Sequence, residues 1–267
     1  MKSITDILEL RKIQMDILSF VDEFCRKNGI MYSIAGGTLL GAIRHGGYIP
    51  WDDDIDIMLR REDYERLITC FLKEDTGHYV IYKVDLTKGY YQPYIKVADK
   101  RTVLQEPGKR GDFGVNIDVF PIDHLPDNPN VRRNIYKRAS SIIDMLAIKE
   151  MEWRKGRDLS KNLFLMFGKF FLAPVSRKYL TIKLDKIAKG AGDESCKLRG
   201  DIVWGYGEKE IMDAIIFNEY TDLPFEDRRY MAIAKHDEYL THLYGDYMQL
   251  PPVEKRVSHH DFTAWWK

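Results

Sequence analysis

Apolar residues recur every three or four positions at Ile7, Leu10, Ile13, Ile17, Phe20, Val21 and Phe24, with Thr5 or Asp6 to cap the run and Asn28-Gly29 to stop it. That spacing predicts an amphipathic first helix whose stripe is core packing and nothing more. A short strand-like run, Met31–Ala35, breaks at Gly36-Gly37. Thr38 can then cap a brief helix that Gly46-Gly47 ends, and Tyr48–Trp51 is a bend around Pro50. From Asp54 to Leu59 acidic and apolar residues alternate, which predicts a strand with carboxylates on one face. An amphipathic helix is expected over Glu62–Lys73, with strands over His78–Val84, Tyr90–Ala98 and Val115–Phe120, the last ended by Pro121. Beyond Asn130 the pattern turns helical, most clearly over Arg132–Glu150 and Asp227–Tyr244.

These elements predict an α/β fold, a mixed sheet with flanking helices followed by a helical carboxy-terminal half. The division is expected at the 126–130 loop: a catalytic core over 1–128, with a helical region over 129–267 packed on it and completing the site. At 267 residues, 45% hydrophobic and 31% charged, the chain has material for a sizeable core. Its 41 basic and 41 acidic residues cancel, so a broad basic surface for nucleic acid is excluded as a main function. Cys25, Cys70 and Cys196 lie far apart with no CxxC pair, which excludes a disulfide scaffold and a zinc ribbon. The charged amino terminus does not read as a signal peptide and no long apolar run is present, so a cytoplasmic protein is expected.

Most chemical content lies in Gly36-Gly37 and in Trp51-Asp-Asp-Asp-Ile-Asp-Ile57. On a strand, Asp54 and Asp56 would point the same way with Cα atoms about 7 Å apart. Carboxylates held so close repel unless a cation lies between them, and hard oxygen donors favour Mg²⁺ or Mn²⁺. Asp118, set among apolar residues, is the candidate third ligand of a site able to clamp phosphoryl oxygens. Asp52, beside the bend, and Asp53, pointing the other way, are expected to stay outside the ligand set. Gly36 and Gly37 would let a phosphate approach the backbone, with Thr38 opening the helix whose N–H groups face it. Each feature has a plainer reading: a turn for the glycines, a solvated loop for the acids, a hydrogen-bonded carboxylate for Asp118.

At these residues the sequence resembles the LicD family, whose relatives include fukutin and fukutin-related protein. Three stretches carry the resemblance: Ala35–Ile57, Val115–Asp123 and Leu243–Pro252. It implies a nucleotidyltransferase-type fold and metal-dependent transfer of a phospho-substituent from a CDP-activated donor to a sugar hydroxyl. CDP-choline is the commonest donor, and the acceptor is a glycan precursor of teichoic acid or lipopolysaccharide type, lipid-linked in the cell envelope. The family's metal-binding acids fall on Asp54, Asp56 and Asp118, and its glycine motif on Gly36 and Gly37. No counterpart of the zinc-binding insertion of fukutin-related protein is found here. CDP-glycerol or CDP-ribitol as donor, or a non-catalytic binding module, are the alternatives.

Within that frame Lys96 is the candidate for a donor phosphate oxygen, against an exposed edge lysine. His259 and His260 could return to the site as phosphate ligands, against surface decoration. Arg44 and His45, ending a helix, suit the dipole there as well as a ligand. Tyr48, Trp51, Tyr90, Tyr91, Tyr94 and Trp204 are aromatics available to hold a quaternary ammonium, although most must be core. Finally, residues 154–189 carry ten basic side chains against two acidic ones around Leu163–Val175, a Phe- and Leu-rich run. This suits either an interfacial helix at the inner membrane leaflet or a core helix with a basic outer side.

Overall fold

The computed structural model describes residues 2–105, 113–151, 158–204, 206–256 and 263–267. The first element is strand β1 (Lys2–Ile4), and helix α1 (Ile7–Asn28) follows. Asp6 caps α1 by accepting the Leu8 N–H, and Gly29, left-handed at φ 62°, closes it. Strand β2 (Ser33–Ile34), helix α2 (Gly36–His45), strand β3 (Asp56–Arg60) and helix α3 (Arg61–Phe71) come next. Strands β4 (Tyr79–Tyr82), β5 (Ile95–Asp99), β6 (Thr102–Gln105) and β7 (Asn116–Leu125) complete the strand-rich part.

The central sheet has the order β2-β3-β7-β5-β4, and β3 and β7 run parallel. Alternation along its strands splits the sheet into two chemically different faces. Ile57, Leu59, Ile117, Val119, Ile95 and Val97 point one way, are buried, and pack under α1 and α3. Asp56, Lys96, Asn116 and Asp118 point the other way.

Helices α4 (Pro129–Glu150), α5 (Leu159–Leu172) and α6 (Arg177–Lys189) follow. Strands β8 (Leu198–Gly200) and β9 (Met212–Asp213) then return to the sheet, β8 pairing antiparallel with the end of β7. The chain finishes with the hairpin β10 (Tyr220–Phe225) and β11 (Arg228–Ile233), helix α7 (His236–Tyr244) and strand β12 (Thr263–Trp266), which lies between β1 and β6. The α/β class expected from the sequence is the observed one. The largest core cluster runs from Ile4 to Ala264, and a second joins Leu125 to α4, α6 and residues 202–203. All three cysteines are free thiols. Among the described residues no helix is long and apolar enough to cross a membrane.

Four local expectations are corrected. The helix expected over Asp227–Tyr244 is a strand followed by a helix that begins only at His236. Tyr230, Met231, Ala232 and Ile233 are all buried, and an unbroken apolar run has no periodicity to separate strand from helix. Pro121 does not end its strand, because β7 continues to Leu125. The Asp118 N–H donates to Ile55 on the β3 side, so by alternation the Pro121 nitrogen faces away from β3. There β5 pairing stops with Ile95 opposite Val119, and β8 begins only opposite Asp123, so no ladder bond is lost. Helix α2 starts at Gly36 with Ala35 as its cap, which puts Thr38 inside the first turn. Strand β3 starts at Asp56, leaving Asp54 on the segment before it.

Candidate active site

The polar face of the sheet forms one wall of a cavity of about 440 Å³. Neighbouring strands place Asp56 opposite Asp118 and Asp118 opposite Lys96, so three charged side chains stand in one row across β3, β7 and β5. The Lys96 ammonium lies 2.5 Å from Asp118 and 2.9 Å from the Asn116 side-chain oxygen. The Tyr94 hydroxyl also bonds to Asp118. Asp54 lines the same cavity. Burial raises Asp56 well above the usual carboxylate range, and the charges of Asp54, Asp118 and Asp52 add to it.

The glycine pair has a particular part here. Gly36 takes φ +49°, and a Cβ on it would stand 3.4 Å from an Asp56 carboxylate oxygen. A Cβ on Gly37 would come within 2.7 Å of Asp52 Oδ2. The bare first turn of α2 therefore accommodates two carboxylates, whose charge suits a helix amino terminus. Thr38 turns its hydroxyl to the Asp56 N–H, which donates to it at 2.9 Å and fixes the start of β3.

Asp52 and Asp53 are closer to the chemistry than expected. One oxygen from each of Asp52, Asp53 and Asp54 lies within 4.8 Å of the others, a spacing that one cation can span. The bend carrying them is held by α1. Arg11 donates to the carbonyls of Ile49, Pro50 and Asp52, and Gln14 donates to that of Asp53. The first helix thus does more than pack. Five carboxylates, Asp52–Asp54, Asp56 and Asp118, are hard oxygen donors suited to Mg²⁺ or Mn²⁺. The crowding that disfavours charge on Asp56 is what a divalent cation would relieve.

Aromatic rings line the same cavity as the acids. Tyr94 meets Trp204 edge to face at 5.5 Å and Phe120 at 4.5 Å, and Tyr206 meets Tyr244 at 6.0 Å. Trp204 and Tyr206 are exposed at the cavity rim. Of the six aromatics singled out in the sequence, only Tyr94 and Trp204 line the cavity. Tyr48 packs on Phe225 beneath Arg11, Trp51 lies between His45 and Arg256, Tyr90 packs with Tyr82 and Phe113, and the Tyr91 ring lies under Arg177. Tyr206, Tyr239, Asp201 and Glu210 are additions from the far half of the chain, where nothing in their spacing marked them, and Tyr244 comes from the third matching stretch. Asp201 accepts the N–H groups of Val203 and Trp204, and Glu210 accepts that of Tyr206, so buried acids shape the loop that carries the rings. Arg44 donates to the carbonyls of Tyr247 and Gln249, a structural tie to the third motif. His259 and His260 lie outside the described residues.

Comparison with known proteins agrees with this geometry. Residues 29–144 match the LicD/FKTN/FKRP nucleotidyltransferase domain model. The lipopolysaccharide cholinephosphotransferase LicD of Haemophilus influenzae is 29% identical over 270 aligned residues, covering 99% of each chain. The ribitol 5-phosphate transferase FKRP of human is 54% identical over 35 residues, 13% of this chain and 7% of that one. With its acidic row, its glycine turn and a relative alignable from end to end, the chain is similar to the LicD phosphotransferases.

Proposed function

We propose that the protein transfers phosphocholine from CDP-choline to a hydroxyl of a cell-surface glycan precursor, of teichoic acid or lipopolysaccharide type, and releases CMP. The acceptor oxygen forms a bond to the phosphorus bearing choline while the bond from that phosphorus to the CMP oxygen breaks. The hydroxyl proton passes to Asp118 or to solvent. Asp54, Asp56 and Asp118, with Asp52 and Asp53 alongside, are the residues to hold Mg²⁺ or Mn²⁺. When bound, the cation supplies charge neutralisation of the diphosphate. Lys96, next to Asp118 in the row, is placed to meet a donor phosphate oxygen, and Gly36, Gly37 and Thr38 shape the turn beneath it. His259 is a further candidate phosphate ligand.

The observation that carries the reading is that the acidic row and a group of aromatic rings line one cavity. A trimethylammonium group donates no hydrogen bond and is held by ring faces, each worth about 0.5–2 kcal/mol. Tyr94, Trp204, Tyr206 and Tyr244 are the rings available to the choline end of a donor whose diphosphate lies over the acids.

The test is CMP release from CDP-choline, CDP-glycerol and CDP-ribitol by wild type, Asp54→Ala and Asp118→Ala, with and without chelator. CDP-choline is expected to be the preferred donor, and chelator or either substitution to cost at least about a thousandfold. Release that survives chelation would remove the cation from the mechanism. Preference for CDP-ribitol or CDP-glycerol would assign a polyol donor, and no release from any of the three would favour a binding module.

A further inference from the structure

Helix α5 is built the wrong way out for a core helix. Phe164, Phe167, Phe170 and Phe171 are 71%, 56%, 74% and 73% exposed, and at spacings of three and four they form one stripe. The opposite side is the packed one: Leu165 is buried, and the bare backbone of Gly168 lies against Ile148 of α4. Phenylalanines in water are costly, and a contiguous exposed row of them marks an interaction surface.

Charge identifies the partner. At the carboxy-terminal end of α5, Lys149 donates to the Leu172 carbonyl and Arg177 to that of Lys149, which brings both cations to the end of the helix that carries Lys169, Phe170 and Phe171. The Lys149 ammonium is held below its usual range by burial first, and then by the charges of Arg177 and Lys169. The two acids of the 154–189 segment are occupied elsewhere: Asp158 caps α5, and Asp185 pairs with Arg61 and Lys189. A second copy of the chain would bring the same cations against these, an unfavourable like-charge contact. An anionic lipid surface meets both features at once, acyl chains for the rings and phosphates for the cations.

We propose that α5 lies in the plane of an anionic bilayer surface, with its phenylalanine stripe among the acyl chains and its cationic end at the headgroups. The helix holds the enzyme at the membrane without spanning it.

The experiment is co-sedimentation of the full chain with phosphatidylethanolamine/phosphatidylglycerol vesicles, which contain no choline headgroup to occupy the catalytic cavity. Wild type is compared with the Phe164→Ser/Phe167→Ser/Phe170→Ser variant, at low salt and at about 0.5 M salt. Wild type is expected to pellet, with high salt weakening the binding. Each ring lost should cost about tenfold in partitioning, so the triple variant should bind about a thousandfold less tightly. Its melting temperature and its CMP release in solution should match wild type, because these rings are exposed and distant from the cavity. The proposal is overturned if wild type stays in the supernatant at low salt, or if the triple variant pellets equally. It is also overturned if sedimentation velocity shows a wild-type dimer that the variant abolishes while neither protein pellets.

Discussion

Asp201 shows how a buried acid can serve structure at the edge of a site. Its Oδ1 alone takes the Val203 and Trp204 N–H groups, and burial, followed by the charge of Glu210, pushes its carboxyl up to about 8. In the unfolded chain the same group titrates near pH ~3.9. Between those values the folded state keeps its proton while the unfolded chain gives it up, so stability falls as pH rises through that window. Asp201→Asn keeps the accepting oxygen and removes the titration. Its melting temperature relative to wild type is expected to climb between pH 5 and pH 8, and a difference constant across that range would refute the assignment. The sequence did not mark Asp201, because a lone acid in a loop has no pattern. Asp54, Asp56 and Asp118 were legible as a group because each sits among apolar residues that force it into a strand or onto its threshold. Asp53 stands closer to Asp52 and Asp54 than strand alternation predicts, because alternation does not hold through a bend.

At the level of elements, amphipathic period found α1, α3 and α4 within a few residues, since α1 and α3 each bury a stripe against the sheet and α4 buries its own against α6. Period could not show what a polar position on such a helix does. Arg11 and Gln14 sit on α1 like any residues at the boundary of a stripe, yet they hold the acidic bend from 38 or more residues away. Arg11→Met keeps an apolar stem and removes the three carbonyl contacts together with the guanidinium over the Tyr48 ring. Hydrogen bonds from a charged donor are worth about 1.5–3 kcal/mol. CMP release by Arg11→Met is expected to need about tenfold or more additional Mg²⁺ for half-maximal rate. An unchanged Mg²⁺ requirement would show that the bend holds its own shape.

Across the whole molecule, a single arginine ties the catalytic sheet to the helices beyond it. Arg61 makes two parallel bonds to Asp123 on β7, at 2.7 and 2.8 Å, and a third to Asp185 on α6 at 3.0 Å. Asp123 is buried, and burial raises its carboxyl even with the guanidinium beside it. Removing one partner of a buried pair leaves the other charge uncompensated, at about 3–5 kcal/mol. Arg61→Met is therefore expected to lower the unfolding free energy by about that amount in urea titrations. A loss below about 1 kcal/mol would mean that Asp123 is carried neutral. This link was hidden in the sequence, where 62 residues separate the partners, and only the topology brings them together.

The change of neighbour along β7 at Pro121 has a consequence for donor choice. Continuing the β5 register by two residues would set Pro93 opposite Pro121, and neither proline has an N–H to give. The sheet forks there, one edge of β7 being shared by two successive neighbours. Tyr94 leads into the first neighbour and Trp204 follows the second, and their rings close the gap between the prongs. Of the rings proposed to meet the donor, Trp204 and Tyr206 follow the second neighbour, so exchanging these two would alter the cavity wall while Asp56 on β3 and Asp118 on β7 stay untouched.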